Sequence, residues 1–212
     1  MSKKYTHCMI VLHGFTMEAD DMEYLTKKID KILPKNVVMK YILPQAPKRK
    51  ITIYKKKEYA WFDYFTEDVY TEEKININHL KESRKFIHNL LDKEIKLFND
   101  PNKVFLVGYS QGCCQMLDAG LTYKKKLGGL IGFKGHILSD TRKFKNYKQN
   151  IWVTHGTKDD AIGYNVAKES YDKYKSNDIT FISLKNKNHD LNNGILEAIK
   201  ELKKWFSNIN FI

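Results

Sequence analysis

Gly108-Tyr109-Ser110-Gln111-Gly112 follows directly on the apolar run Val104-Phe105-Leu106-Val107. A serine held between two glycines where a buried strand turns into a helix stands clear of the sheet edge with its hydroxyl exposed. The turn is tight and strained, and the glycines omit Cβ atoms that would strike the neighbouring strand and helix. Such a hydroxyl can attack an acyl carbonyl only with a base to take its proton and an acid to orient that base. With an elbow of this kind the partners follow in the chain order serine, acid, histidine. Asp159 ends the segment His155-Gly156-Thr157-Lys158-Asp159, and His189 follows the polar stretch Lys185-Asn186-Lys187-Asn188. Ser110, Asp159 and His189 therefore form the expected set. Asp160 is the alternative acid, because only one of two adjacent carboxylates can face the imidazole. Asp190 is expected to cap the helix that follows.

The other histidines suit the role of base less well. His79 and His88 lie in a long helical pattern on or near its polar side, and His7 lies in the first strand. His136 precedes the position expected for the acid, and His13 and His155 each precede a glycine at a strand end. A tetrahedral intermediate also needs two backbone N–H donors. Gln111, next to the serine, supplies one. The segment His13-Gly14-Phe15 after the first strand supplies the other, with Phe15 the expected donor.

Short apolar runs alternating with amphipathic stretches must position these groups. Strands are expected over 7–12, 37–43, 104–107, 127–133, 151–154 and 179–184. A helix is expected over 18–32, stopped by Pro34. Ile77, Leu80, Ile87, Leu91, Ile95 and Phe98 mark a second, broken by Asn99-Asp100-Pro101-Asn102. Further helices are expected over 111–123 and 165–174, and Leu191, Ile195, Ala198, Leu202 and Trp205 mark the last. Residues 44–70 read as a long aromatic loop of the kind that walls a binding site. The alternation predicts one α/β domain over 1–212, a mostly parallel doubly wound sheet flanked by helices, with its chemistry at the carboxyl ends of the strands.

The 212 residues are 42% hydrophobic, enough for a full core. No run is long and apolar enough for a membrane span, and the start of the chain lacks the apolar core and cleavage site of a signal peptide. The three cysteines, Cys8, Cys113 and Cys114, form neither a disulfide framework nor a metal site, which points to the cytoplasm and to packing roles. The net charge of +12 comes almost wholly from lysine, with only Arg49, Arg84 and Arg142 as arginines. Clusters at Lys48-Arg49-Lys50, Lys55-Lys56-Lys57 and Lys124-Lys125-Lys126 read either as a solvated lysine surface or as a source of weak attraction to anionic membranes or acidic substrates. Specific nucleic-acid recognition is not expected, since arginine is scarce and no nucleic-acid motif is present.

Several segments together resemble the phospholipase/carboxylesterase family of α/β-hydrolases, in particular its acyl-protein thioesterases. Leu12-His13-Gly14, Leu43-Pro44-Gln45-Ala46-Pro47 with Trp61-Phe62-Asp63, the serine pentapeptide and His155-Gly156-Thr157-Lys158-Asp159 carry the likeness along essentially the whole chain. The resemblance implies an α/β-hydrolase fold, a Ser110–Asp159–His189 triad, an oxyanion hole from Phe15 and Gln111, and no cofactor or metal. Departures stand at Cys113, where the family usually has glycine, at Asp160-Ala161-Ile162-Gly163 in place of Val-Val-Pro, and at Asn186-Lys187-Asn188, where glycine often precedes the histidine.

The function expected is hydrolysis of carboxylic ester or thioester bonds in acylated small molecules, lipids or proteins. Trp61 and Phe62, with Tyr59, Tyr64 and Phe65, are candidates for an acyl-binding wall, with core packing the equal alternative. The alternatives are peptide or lactone hydrolysis on the same fold, and a catalytically silent protein that binds an anionic partner.

Overall fold

A computed structural model describes residues 5–141, 148–174 and 178–211. Met1-Ser2-Lys3-Lys4 and Arg142 lie outside the described residues. Strands β1 (His7–Leu12), β2 (Met39–Ile42), β5 (Val104–Tyr109), β6 (Gly129–Phe133), β7 (Asn150–Gly156) and β8 (Asp178–Leu184) form one sheet in the order β2-β1-β5-β6-β7-β8. Every pairing in it is parallel. β5 and β6 are buried along their whole length, the pattern of central parallel strands covered on both faces. β8, at the edge, is mostly half-exposed.

Alternation along the strands divides the core in two. Cys8, Ile10 and Leu12 of β1 face one apolar layer, together with Leu80, Ile87 and Leu91 of α2 (Ile77–Phe98), α3 (Gln111–Thr122) and Ala167 and Tyr171 of α4 (Tyr164–Lys173). Met9 and Val11 face the other, with Leu25 and Ile29 of α1 (Glu23–Asp30) and Ile195, Ala198, Leu202 and Trp205 of α5 (Ile195–Asn208). The long helix α2 starts where the Asn76 side chain accepts from the N–H groups of Asn78 and His79, and stops where Asn99 turns left-handed at φ 52°. The register aligns the carboxyl ends of β1, β5, β6, β7 and β8: Leu12 pairs with Gly108, Gly108 with Gly132, Phe133 with Thr154, and Gly156 with Leu184. Ser110, Asp159 and His189 follow the carboxyl ends of β5, β7 and β8 on that common edge. No helix among the described residues is long and apolar enough to cross a membrane.

Three local expectations change. Residues 44–70 are not wholly irregular, because β3 (Lys48–Ile51) and β4 (Lys56–Tyr59) pair as an antiparallel hairpin. Their lysine-rich sequence carries no apolar alternation. The hairpin is held instead by the Asp63 carboxylate, which accepts from Thr52 N–H and Oγ–H, both at 2.7 Å. The first helix begins later than expected, after a 3-10 turn over Ala19–Met22. Asp190 does not cap α5. It closes a turn by accepting from Asn192 N–H at 2.8 Å, and α5 starts after Gly194, whose φ of 96° no other residue type adopts without strain.

Candidate active site

Ser110 sits between β5 and α3 at φ 54° and ψ −124°. Two contacts explain the flanking glycines. A Cβ on Gly108 would lie 2.3 Å from the Gly112 carbonyl oxygen, and one on Gly112 would lie 2.3 Å from that of His13. Ser110 N–H donates to Phe133 O at 2.9 Å, tying the elbow to the end of β6. Cys113 fills the space left by Gly132 and Gly135, since a Cβ on either would come within 2.6 Å of it. Burial pushes its thiol well above the ordinary value, so it is a packing residue and no thiolate.

Asp159 and His189 converge on Ser110. His189 Nδ1 lies 2.9 Å from each Asp159 oxygen, and His189 Nε2 lies 2.8 Å from Ser110 Oγ. An ionised carboxylate only accepts, so Nδ1 carries the proton and Nε2 is left to accept from the serine hydroxyl. Asp159 Oδ1 also accepts from the N–H groups of Ala161 and Ile162, at 3.1 and 2.9 Å. His155 Nε2 donates to Ile162 O at 2.7 Å and lies 3.3 Å from Asp159 Oδ2. Burial alone would raise the Asp159 carboxyl, but His189, His155 and the Ile162 N–H outweigh it and hold it below the ordinary value. Asp160 has a separate task, accepting from His189 N–H at 3.3 Å.

The loop that carries His189 is held from several sides. Tyr109 OH donates to His189 O at 2.8 Å. Gly156 allows β7 close approach, because a Cβ there would lie 2.3 Å from Lys187 O. Lys134, buried just past β6, directs its ammonium to the carbonyl oxygens of Asn188, Asp190 and Asn193. Neither Tyr109 nor Lys134 stood out by residue type. The available signal was a lone lysine at a strand end, in the otherwise apolar and glycine-rich stretch from Leu130 to Gly135.

Phe15 and Gln111 flank the serine, and among the described residues neither backbone N–H is taken by a hydrogen bond. His13 is fully buried. Its Nδ1 donates to Gly14 O at 2.7 Å, and its Nε2 accepts from Ala46 N–H at 3.0 Å. It is thus neutral, with burial lowering its pKa, and it braces the turn before Phe15. The Gln111 side chain accepts from Trp61 N–H and donates to Phe62 O, both at 2.8 Å. The Trp61 indole donates to His13 O at 2.9 Å. Trp61 and Phe62 are buried and support the two sides of the site from behind.

In front of Ser110 opens a cavity of about 260 Å³. Phe15, Tyr54, Tyr64 and Tyr109 give it aromatic walls, and Trp61 and Phe62 do not line it. Phe15 stacks on Tyr54 and meets Tyr64 edge-on, with ring centroids 5.7 and 5.6 Å away. Glu67 and Glu73 complete the wall and already have partners, Glu67 accepting from Tyr54 OH and Glu73 lying 3.3 Å from His136 Nε2. Among the described residues no group of three histidine, cysteine, aspartate or glutamate side chains could hold a metal ion.

A parallel sheet with a serine elbow at its centre and an acid and a histidine on later strand ends defines an α/β-hydrolase. The profile of the phospholipase/carboxylesterase family matches residues 1–206, and the chain belongs to that family. Acyl-protein thioesterase 1 of Emericella nidulans is 28% identical over 188 residues, covering 80% of this chain and 76% of that protein. Acyl-protein thioesterase 1 homolog 2 of Dictyostelium discoideum is 28% identical over 208 residues, covering 93% and 91%. In fold, Arabidopsis thaliana SOBER1 superposes with a TM-score of 0.83 at 21% identity, over 96% of this chain and 98% of that one. Zea mays acyl-protein thioesterase 2 superposes with a TM-score of 0.75 at 18% identity, over 98% and 95%.

Proposed function

We propose that this protein is a serine hydrolase of carboxylic esters or thioesters, working through Ser110, His189 and Asp159. The observation that carries the reading is the unbroken hydrogen-bond chain from Asp159 through His189 to Ser110 Oγ. His189 Nε2 takes the hydroxyl proton as Oγ attacks the acyl carbonyl. The N–H groups of Phe15 and Gln111 receive the developing oxyanion, and the imidazolium then gives its proton to the departing alkoxide or thiolate. Water, deprotonated by His189, attacks the acyl-enzyme and releases the acid. Asp159, kept ionised, holds the productive tautomer and offsets the imidazolium charge.

A cavity of about 260 Å³ is at or below the low end of ordinary ligand pockets, roughly 300–1,000 Å³, and this supports short acyl groups. The test is a chain-length series of acyl esters and thioesters assayed beside peptides and lactones. The expected result is a kcat/KM maximum at short to medium acyl chains, with S110A inactive. A preference for peptides or lactones would overturn the substrate class.

The exposed lysines of the β3–β4 hairpin lie beside Ile53 and Tyr54, which line the cavity mouth, and this supports weak attraction to anionic membranes. The three free, buried cysteines fit a reducing, cytoplasmic setting.

A further inference from the structure

The end of β6 touches both halves of the site. Phe133 O accepts from Ser110 N–H at 2.9 Å, so this strand end is joined to the elbow. The next residue, Lys134, anchors to β7 by donating its N–H to Thr154 O at 2.8 Å, and holds the left-handed φ of 54°, unusual for a residue with a Cβ. Gly135 then passes so close that a Cβ would lie 3.0 Å from Ser110 O. From this fixed backbone the Lys134 side chain, 2% exposed, reaches the His189 loop. An ammonium has three N–H donors. Here all three meet carbonyl oxygens, of Asn188, Asp190 and Asn193, on both sides of His189.

Surface lysines do not behave this way. Burying an ammonium is costly unless its donors are satisfied and counter-charges lie near. Asp159, Asp190 and Asp160 favour the charge, and Lys187 opposes it. Burial, the largest influence, brings the lysine down to about 8, so it remains mostly charged at neutral pH. The arrangement is that of a tethered cation in a cage of backbone carbonyls.

We infer that Lys134 is a positioning residue, whose ammonium fixes the loop carrying His189 against the strand end that carries the Ser110 contact, and so sets the His189–Ser110 hydrogen bond. Lys134 does not line the cavity and touches no reacting atom. It acts on the rate of acyl transfer and leaves ground-state binding alone. The inference rests on the proposed roles of Ser110 and His189.

The test compares wild type with Lys134→Met, which keeps the apolar stem and removes the donors, and with Lys134→Ala in the presence of propylammonium or propanol. The readouts are kcat and KM for a short acyl ester, the rate of fluorophosphonate labelling at Ser110, and circular dichroism. A loosened catalytic geometry commonly costs up to about 100-fold, so K134M is expected to lose about 10- to 100-fold in kcat and labelling rate, with KM within about twofold. Propylammonium is expected to restore about fivefold or more to K134A by refilling the carbonyl cage, while propanol does not. A folded K134M with kcat within about twofold of wild type overturns the inference. So does a loss that appears equally in KM with no rescue by the amine. Should K134M fail to fold, Lys134→Gln, which keeps two of the donors, takes its place; failure of both to fold makes the role one of the whole fold and overturns positioning. Wild type that neither labels nor hydrolyses the ester sinks the underlying hydrolase reading instead, which keeps the two failures distinct.

Discussion

The elbow and the His189 loop hold the two halves of one hydrogen bond, yet they are fixed by different physics. At the elbow the backbone does the work. Gly108 and Gly112 let a strand, a turn and a helix approach to distances no Cβ tolerates, and Ser110 has no alternative place to stand. The His189 loop is polar, and side chains from elsewhere pin it: Tyr109 from β5, Lys134 from the end of β6, and Asp159 and Asp160 from beyond β7. A serine can thus be placed by steric exclusion within five residues. The histidine that meets it is placed by polar contacts gathered from much of the sheet edge. The first arrangement should be brittle to added atoms, and the second should degrade in steps as donors are removed.

Asp159→Asn gives the largest effect on the loop side. The amide turns the imidazole tautomer the wrong way, and kcat should fall by about 10⁴-fold with the fold retained. The same variant has a signature in stability. The folded Asp159 carboxyl titrates below its ordinary 3.8, so its pairing adds stability above the ordinary carboxylate range. That contribution is lost as pH falls through the lower folded value. Thermal denaturation of D159N against pH should therefore show a shallower acid limb than wild type. An unchanged limb would show that the pairing contributes no net stability.

Gly112→Ala probes the elbow. The added Cβ would lie 2.3 Å from His13 O and 2.4 Å from Leu12 O, both backbone atoms, so β1 or α3 must shift. The expected cost is about 1–3 kcal/mol or more in denaturant unfolding. A roughly 100-fold loss of kcat should accompany it, because the Gln111 N–H moves with the helix start. Tyr109→Phe is the mildest. It removes one hydrogen bond to His189 O, worth about 1 kcal/mol, and kcat should drop less than about tenfold because the other anchors remain. If Y109F proved as damaging as G112A, the contrast between the two regions would collapse.

The same contrast explains what could be read in the chain. Ser110 was legible because steric exclusion demands glycine at fixed offsets and an apolar strand before them, and both are local. The sheet was legible in β1, β5 and β7 because strands covered on both faces must be continuously apolar. The β3–β4 hairpin was not, since Lys48–Ile51 and Lys56–Tyr59 carry almost no apolar signal and are secured by Asp63 from outside the pair. Asp160 could be weighed against Asp159 only as a neighbour in sequence. The fold separates them, one on the imidazole and one on the backbone N–H of His189. Trp61 and Phe62 carried an aromatic signal that suits a wall or a core equally well, and burial with the Gln111 bonds puts them behind the site. Lys134 is not legible in the sequence, because a lysine's type predicts exposure and only its place at a strand end hints otherwise.

The central claim is that Ser110 is an activated nucleophile. The most direct measurement is labelling with a fluorophosphonate probe, followed by mass spectrometry of the modified peptide, for wild type, S110A and D159N. The account predicts stoichiometric modification at Ser110 in wild type, none in S110A, and modification slowed by orders of magnitude in D159N. Well-folded wild type that stays unlabelled, or label on any other residue, would contradict it.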